Sequence, residues 1–306
     1  MTKQAPTVLR KLRSRLARSD GPTAALYLLP AVVGFSVFYA WPLIQGIGIS
    51  FTDWNLLSPA TFIGGKNYAD LIGDPRFWNA LRVTVIYVVV NIGSQMVLGL
   101  AIAGLMQKLR LRAFSRSAIL LPWLVPNVTI AIVTLFMLDP NVGFVNEVIS
   151  FLGGHTKSFY GNSDLAIYTI ALVNTWRNMG YTAMLFYAGM QTISPSVYEA
   201  GAIDGASGFR AFRSITLPLL RPITAMILVV SMIGSFQIFD TVAVATGGGP
   251  GNSTRVIYYY IYQKAFEQFD MGYAAAMSVV LFVIIFTLSV VQLRVLHAAE
   301  SDIGSS

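Results

Sequence analysis

The 306-residue chain contains no cysteine and only two histidines, His155 and His297. Disulfides, thiolate metal sites and cysteine nucleophiles are therefore excluded, and a histidine-based metal or catalytic cluster nearly so. No catalytic residue and no metal ligand set is assigned. Charge is scarce too: 11% of the residues are Asp, Glu, Lys or Arg, against about 25% in soluble domains. A phosphate loop of the G-x-x-x-x-G-K-[ST] kind is also missing. The nearest fragment, Gly64-Gly65-Lys66-Asn67, lacks the upstream glycine and the Ser/Thr. ATP hydrolysis by this chain alone is not expected.

What is abundant is apolar. Hydrophobic residues make up 55% of the chain, and they cluster in six blocks near 24–49, 78–105, 117–138, 164–190, 222–245 and 271–294. Crossing a hydrocarbon layer about 30 Å thick takes roughly 20 helical residues. The pattern predicts an all-α integral membrane protein with six transmembrane helices over 24–294, a basic segment 1–23 before them and a tail 295–306 after them. Pro30 and Pro42 break the first block, which membrane helices tolerate where neighbours satisfy the freed backbone groups. Asn91 and Ser94-Gln95 interrupt the second.

Lysine and arginine set the orientation. With the N-terminus inside, the inner segments hold Lys3, Arg10, Lys11, Arg13, Arg15, Arg18, Lys108, Arg110, Arg112, Arg116, Arg210, Arg213, Arg221 and Arg294. The outer segments hold only Lys66, Arg76, Lys157, Arg255 and Lys264, while Arg82 and Arg177 lie within spans. Fourteen against five places both termini in the cytoplasm. Beside a span, the run Leu9–Arg18 reads as a topology determinant drawn to anionic lipid. It is a simpler reading than a nucleic-acid tail, and no nucleic-acid partner is expected. An uncleaved first span is favoured over a cleaved leader, because the apolar stretch continues to Ile49.

The loop at 191–221 joins the fourth and fifth spans. Ser194 can cap a helix with Pro195 at its first position, and Ser196 with Glu199 has capping-box spacing. Ala200, Gly201 and Ala202 permit close approach to another surface, and Gly205 supplies a turn. Ser207 can open a second short helix with Phe209, Phe212 and Ile215 on one side, stopped by Pro218 and Pro222 before the fifth span. The predicted product is a helix–turn–helix with an apolar edge and a carboxylate, suited to a helix-in-groove contact. An ordinary amphipathic connector is the plainer alternative.

Tyr198-Glu199-Ala200-Gly201-Ala202-Ile203-Asp204-Gly205-Ala206, continuing to Ile215-Thr216-Leu217-Pro218, resembles the EAA coupling loop of permease subunits in binding-protein-dependent ABC importers. Gly201 departs from the pattern where its second alanine usually falls. Three further stretches resemble the carbohydrate-importing subfamily, which takes maltose, glycerol-3-phosphate and oligosaccharides: Phe62–Tyr68 with Asp74–Trp78, Phe239-Asp240 with Thr246–Gly251, and Tyr273–Ala276. The resemblance covers roughly 24–294. It implies a bacterial plasma-membrane complex with a second homologous permease, two ATP-binding subunits and an extracytoplasmic solute-binding protein. No cofactor would be bound by this chain, ATP and magnesium residing in the partner ATPase. Glu199, Ala200, Gly201, Asp204, Gly205, Ala206, Phe209 and Pro218 would form the ATPase-coupling element. The outer loop at Gly247–Gly251 reads as flexible and able to meet the binding protein.

Polar groups inside spans are expensive and default to function. The fourth span offers Trp176, Arg177, Asn178 and Tyr181; the fifth offers Ser231, Ser235, Phe236, Gln237 and Asp240. Aromatic faces suit sugar rings, and amides suit hydroxyls. The resemblance implies substrate contacts from these same two spans. Helix–helix glue is the competing use of small polar residues, and Arg177 could instead pair with Asp240. Tyr258, Tyr259, Tyr260 and Tyr262 read as an interfacial belt. An ion-coupled secondary transporter using Asp240 and Arg177, and a membrane enzyme, are the alternative classes. The first would more often show internal repeats, and the second would want clustered acids or histidines at one face.

Overall fold

The computed structural model describes the backbone of residues 21–301 and the side chains of 25–294. The basic positions from Lys3 to Arg18 lie outside that range, as do the side chains of the 295–306 tail. Most of the described chain is helical, and its strands form one two-stranded antiparallel ribbon, β1 (Thr52–Asp53) with β2 (Thr61–Phe62). Its Asn67 anchor donates to the Ser50 and Thr52 carbonyls at 3.0 and 2.9 Å.

The first apolar block forms α1 (Gly21–Phe35) and α2 (Trp41–Ile49). The two prolines do not break it. A π turn over Ser36–Ala40, closed by the Trp41 amide on the Ser36 carbonyl, carries the helix between them. After α3 (Lys66–Ile72), the long helix α4 (Pro75–Lys108) begins at Asp74, whose carboxylate accepts from the Arg76 amide. The third block is not one straight helix. α5 (Ala113–Leu124) and α6 (Asn127–Met137) meet at 89° across Val125-Pro126. A short helix α7 (Phe144–Phe151) follows, then α8 (Ala166–Gln191), which packs along most of α4.

The 191–221 loop contains α9 (Pro195–Ile203), α10 (Phe209–Ala211), a π turn over Phe212–Thr216 and α11 (Leu217–Leu219). Ser194 is the residue before α9, but its hydroxyl pairs with that of Ser196 at 2.8 Å instead of capping the backbone. Gly205, at φ +79°, ends α9, and the Ala206 amide returns to the Gly201 carbonyl. Such a φ suits glycine because it has no Cβ. Pro218 does not stop the second helix. It occupies the first turn of α11, where no amide is needed, and the break falls at Leu220.

α12 (Arg221–Phe236) and α13 (Asp240–Ala245) make the fifth block, interrupted at 237–239. α14 (Ile257–Tyr262) leads through a π turn into α15 (Met271–Ser301). By length and composition, four helices suffice to cross a membrane: Ala25–Ile49, Pro75–Lys108, Arg221–Ala245 and Met271–Arg294. The bent α5–α6 pair makes a fifth if counted as one span. α8, about 39 Å long, has the reach but carries a polar face.

Hydrogen bonds fix how the helices run. Asn91 meets Ala171 and Thr175, and Gln95 meets Thr182, so α4 and α8 are parallel. Ser235 meets Asn91 and Ser231 meets Gln95, so α12 runs the other way. Gly180 lets the Ile119 backbone lie directly against α8, since a Cβ there would strike the Ile119 carbonyl. The main core gathers Phe77, Tyr87, Ile170, Phe236, Val242, Tyr260 and Met277 from α4, α8 and the later helices.

Candidate functional site

A cavity of about 380 Å³ opens where α4, α8 and α12 face the α5–α6 elbow, within the roughly 300–1,000 Å³ typical of small-molecule sites. Each wall is one face of a helix. α4 supplies Tyr87, Asn91 and Gln95, one per turn; α8 supplies Asn174, Arg177, Asn178, Tyr181, Thr182 and Leu185. α12 adds Ile227, Val230, Ser231, Gly234 and Ser235 at the same i, i+3, i+4 spacing. The interruption after α12 brings in Gln237 and Phe239, α13 brings in Asp240, and the elbow contributes Trp123 and Asn127.

Seven of the nine side chains picked out for the substrate path in the fourth and fifth spans line this cavity: Arg177, Asn178, Tyr181, Ser231, Ser235, Gln237 and Asp240. Trp176 and Phe236 do not. Trp176 lies about 200° around α8 from Asn174, since successive residues turn by about 100°. It is 47% exposed and borders a separate apolar crevice with Thr134, Met137 and Leu172. Phe236 is buried in the main core. Both side chains have suitable chemistry, but the helix angle sends them elsewhere.

The polar groups are tied to one another. The Asn91 amide donates to the Ala171 carbonyl and Thr175 hydroxyl at 3.1 and 3.2 Å, and its oxygen accepts from Ser235 at 3.1 Å. Gln95 donates to Thr182 at 2.6 Å and to Ser231 at 3.3 Å. Two rungs therefore join three helices, and both serines act as helix glue as well as wall. Asn174 donates to Thr241 at 3.2 Å, linking α8 to α13.

The two charges do not form an ion pair. Asp240 accepts from Asn127 at 3.0 Å, while Arg177 donates to the Val125 and Trp123 carbonyls at 3.2 Å each. Among the described residues, the one ion pair within 4.0 Å joins Lys264 and Asp270. Trp123 and Tyr181 stack at 4.7 Å with their planes 9° apart, forming an aromatic wall. No three His, Asp or Glu side chains gather as metal ligands among the described residues.

The sequence alone does not mark Tyr87, Trp123, Asn127 and Phe239 as wall residues. The spacing of Tyr87, Asn91 and Gln95 was the available signal for α4. For the elbow it was Pro122 and Pro126 flanking Trp123.

In the 191–221 loop, Glu199, Ala200, Asp204, Gly205 and Phe209 are exposed, while Gly201, Ala206 and Pro218 are half-buried. Ile203 and Phe209 are 88% and 77% exposed, and the Glu199 carboxylate makes no hydrogen bond or ion pair among the described residues. The glycine at 201 has a local reason. Ile215 of the second helix occupies the space a Cβ would take.

Two further features differ from the sequence reading. Tyr259 and Tyr260 are buried, not a belt, and Phe239 packs among Tyr258, Tyr259 and Tyr262 at ring distances of 5.0–6.2 Å. The glycine-rich loop is laced: Thr246 bonds Thr254 at 2.8 Å, Thr254 donates to the Gly249 carbonyl at 2.6 Å, and Asn79 holds the Asn252 carbonyl at 3.2 Å.

Comparison with known proteins places these features in context. The family model described as "Binding-protein-dependent transport system inner membrane component" matches residues 95–298. The trehalose/maltose transport system permease protein of Thermococcus litoralis is 32% identical over 286 residues, covering 93% of this chain and 97% of its own. The sulfoquinovosyl glycerol transport system permease protein of Agrobacterium fabrum is 32% identical over 284 residues, covering 92% of each. In fold, the chain superposes with a TM-score of 0.72 on a chain from the crystal structure of a bacterial ABC transporter importing the acidic polysaccharide alginate. That likeness covers 95% of this chain and 97% of that one at 22% identity.

Proposed function

The chain belongs to the binding-protein-dependent transport system inner membrane components, and from that premise we propose how it works as the permease subunit of an ABC importer for a sugar or sugar-like solute. The observation that carries the reading is the cavity between α4, α8 and α12, with its aromatic wall and ring of amides and hydroxyls. Such a lining suits a polyhydroxylated solute: ring faces meet apolar C–H surfaces, while amides donate to and accept from hydroxyls.

Six passes with both termini in the cytoplasm fit the helix directions. α4 and α8 run parallel and α12 opposes them. The end of α2 and the start of α15 lie together, the Met271 amide bonding the Trp54 carbonyl at 2.9 Å. The polar cavity face of α8 explains why that helix is less apolar than the others. The bent pair α5–α6 serves as the third pass.

In this reading the exposed helix α9 is the seat for an ATP-binding subunit. ATP and magnesium are held there and not in this chain, and a second permease completes the pathway. ATP-driven closure moves α9 through Glu199 and its neighbours. The movement passes to α8 and α12, which flank the loop, and turns the cavity outward toward a docked solute-binding protein. Hydrolysis resets it inward. Catalysis stays with the partner; this chain contributes the path and the lever.

Purification from the native membrane in mild detergent tests the proposal. The expected result is copurification with a second permease and an ATP-binding subunit, and uptake in vesicles that requires ATP and the binding protein. A lone chain moving solute on an ion gradient without ATP would overturn it in favour of a secondary transporter working through Asp240 and Arg177.

A further inference from the structure

The relatives' names do not decide what an arginine in the cavity is for, since trehalose and maltose are uncharged while alginate is described as acidic. The geometry of Arg177 does. An arginine at membrane depth is costly to bury, so its contacts should show its use. Its Nε–H and one Nη2–H point along the same edge of the guanidinium plane, the edge that would grip a carboxylate or phosphate in bidentate fashion. That edge is taken by the carbonyls of Val125 and Trp123, at 3.2 Å each. Nη1 is directed to the Asn178 side-chain oxygen at 3.3 Å.

Both carbonyls belong to the elbow. A break at membrane depth frees backbone acceptors that must find partners inside the protein, and Pro126, which ends the helix hydrogen bonding at this point, has no amide to offer. Arg177 supplies the partners from the neighbouring span. The same elbow carries Trp123, stacked on Tyr181 one turn beyond Arg177, and Asn127, which holds Asp240. Gly180, on the same stretch of α8, admits the Ile119 backbone.

We propose that Arg177 is a positioning residue: it latches the bent third pass to the fourth through the Trp123 and Val125 carbonyls and so sets the aromatic wall of the cavity, instead of serving as a receptor for an anionic solute. The inference rests on the elbow's geometry and holds whichever solute the chain carries. Loss of transport in an Arg177 variant whose elbow is unchanged would count against the latch, whereas solute uptake that needs no ATP would count against the functional reading only.

With no cysteine in this chain, introduced cysteines are its only labelling sites. Spin labels on Phe114→Cys and Phe136→Cys, exposed positions on the two arms, report the elbow by pulsed dipolar spectroscopy in the assembled transporter in nanodiscs. Arg177→Lys keeps a positive charge and loses the two-pronged edge. The latch predicts a shifted and broadened distance distribution in Arg177→Lys and a larger disturbance in Arg177→Leu, with Asp240→Asn closer to the unaltered protein than either. Should Arg177→Leu fail to insert, the lysine variant decides. A distribution in Arg177→Lys identical to that of the unaltered protein would overturn the proposal, leaving the bend to the two prolines and the guanidinium free for solute.

Discussion

The end of the molecule that carries Asp74 and the loop at 191–221 are built on opposite plans. Near Asp74 the chain satisfies itself. The carboxylate accepts from the Tyr260 and Tyr273 hydroxyls at 2.8 Å each and from the Arg76 amide, so α4, α14 and α15 share one anchor. Asn146 in α7 does similar work, donating to the Leu138, Asp139 and Lys157 carbonyls and accepting from the Lys157 amide. In the loop, the Glu199 carboxylate has no partner among the described residues, and Ile203 and Phe209 stand in the open. Large apolar side chains are exposed near Asp74 as well, Ile72 and Trp78 among them, so the contrast lies in the carboxylates: one is satisfied within the chain, and the other is left free to meet a partner.

Charge reversal in the open region carries the largest expected effect. Glu199→Lys should abolish uptake while the chain stays inserted, read by transport in vesicles alongside the amount of chain in the membrane. Gly205→Val should do the same, because a β-branched residue resists φ +79°. Normal uptake by well-inserted variants would sink the coupling role. In the cavity, Tyr181→Ala should raise the KM for uptake about tenfold, equivalent to about 1.4 kcal/mol. Trp176→Ala, on the far side of the same helix, should leave KM unchanged.

The self-completed region should answer in stability, not transport coupling. Burial opposes ionisation of Asp74, but the hydrogen bonds from Tyr260, Tyr273 and the Arg76 and Phe77 amides outweigh it and hold its pKa below the ordinary 3.8. A carboxyl depressed in the folded state stabilises above its unfolded value, and that stability is lost as pH falls through the folded one. Asp74→Asn should lower the thermal midpoint at neutral pH and flatten the loss expected of the unaltered protein below about pH 4. Replacing one rung, Asn91→Leu, should cost about 0.6 kcal/mol and at most about 1.7, seen as a small drop in midpoint in detergent. Gly201→Ala should be the mildest change, with Ile215→Val restoring whatever it loses.

Much of this arrangement was legible in the sequence because lipid enforces it. Apolar runs of spanning length mark α4, α12 and α15, and Asn174, Arg177, Asn178 and Tyr181 stand out against their apolar span. The start of α9 at Pro195 and its end at Gly205 follow from local backbone rules. Angular position and tertiary partners were harder to read. Trp176 has the right chemistry on the wrong side of α8, and Phe236 looks like wall but fills the core. The elbow was hidden for a deeper reason. Prolines alone do not dictate a bend, as Pro30 and Pro42 show within a continuing helix. At Pro126 the freed carbonyls have Arg177 to bond with, and that partner lies about fifty residues away.

The central claim is that α9 and its neighbours are the seat of a separate ATP-binding subunit. The most direct measurement places a single cysteine at Phe209, unique in a cysteine-free chain, and cross-links it in native membranes with a short-arm reagent. The account predicts an adduct with an ATP-binding subunit, and loss of that adduct when Glu199→Lys is added. Free labelling of Phe209→Cys with no adduct, in a membrane where solute uptake proceeds normally, would contradict it.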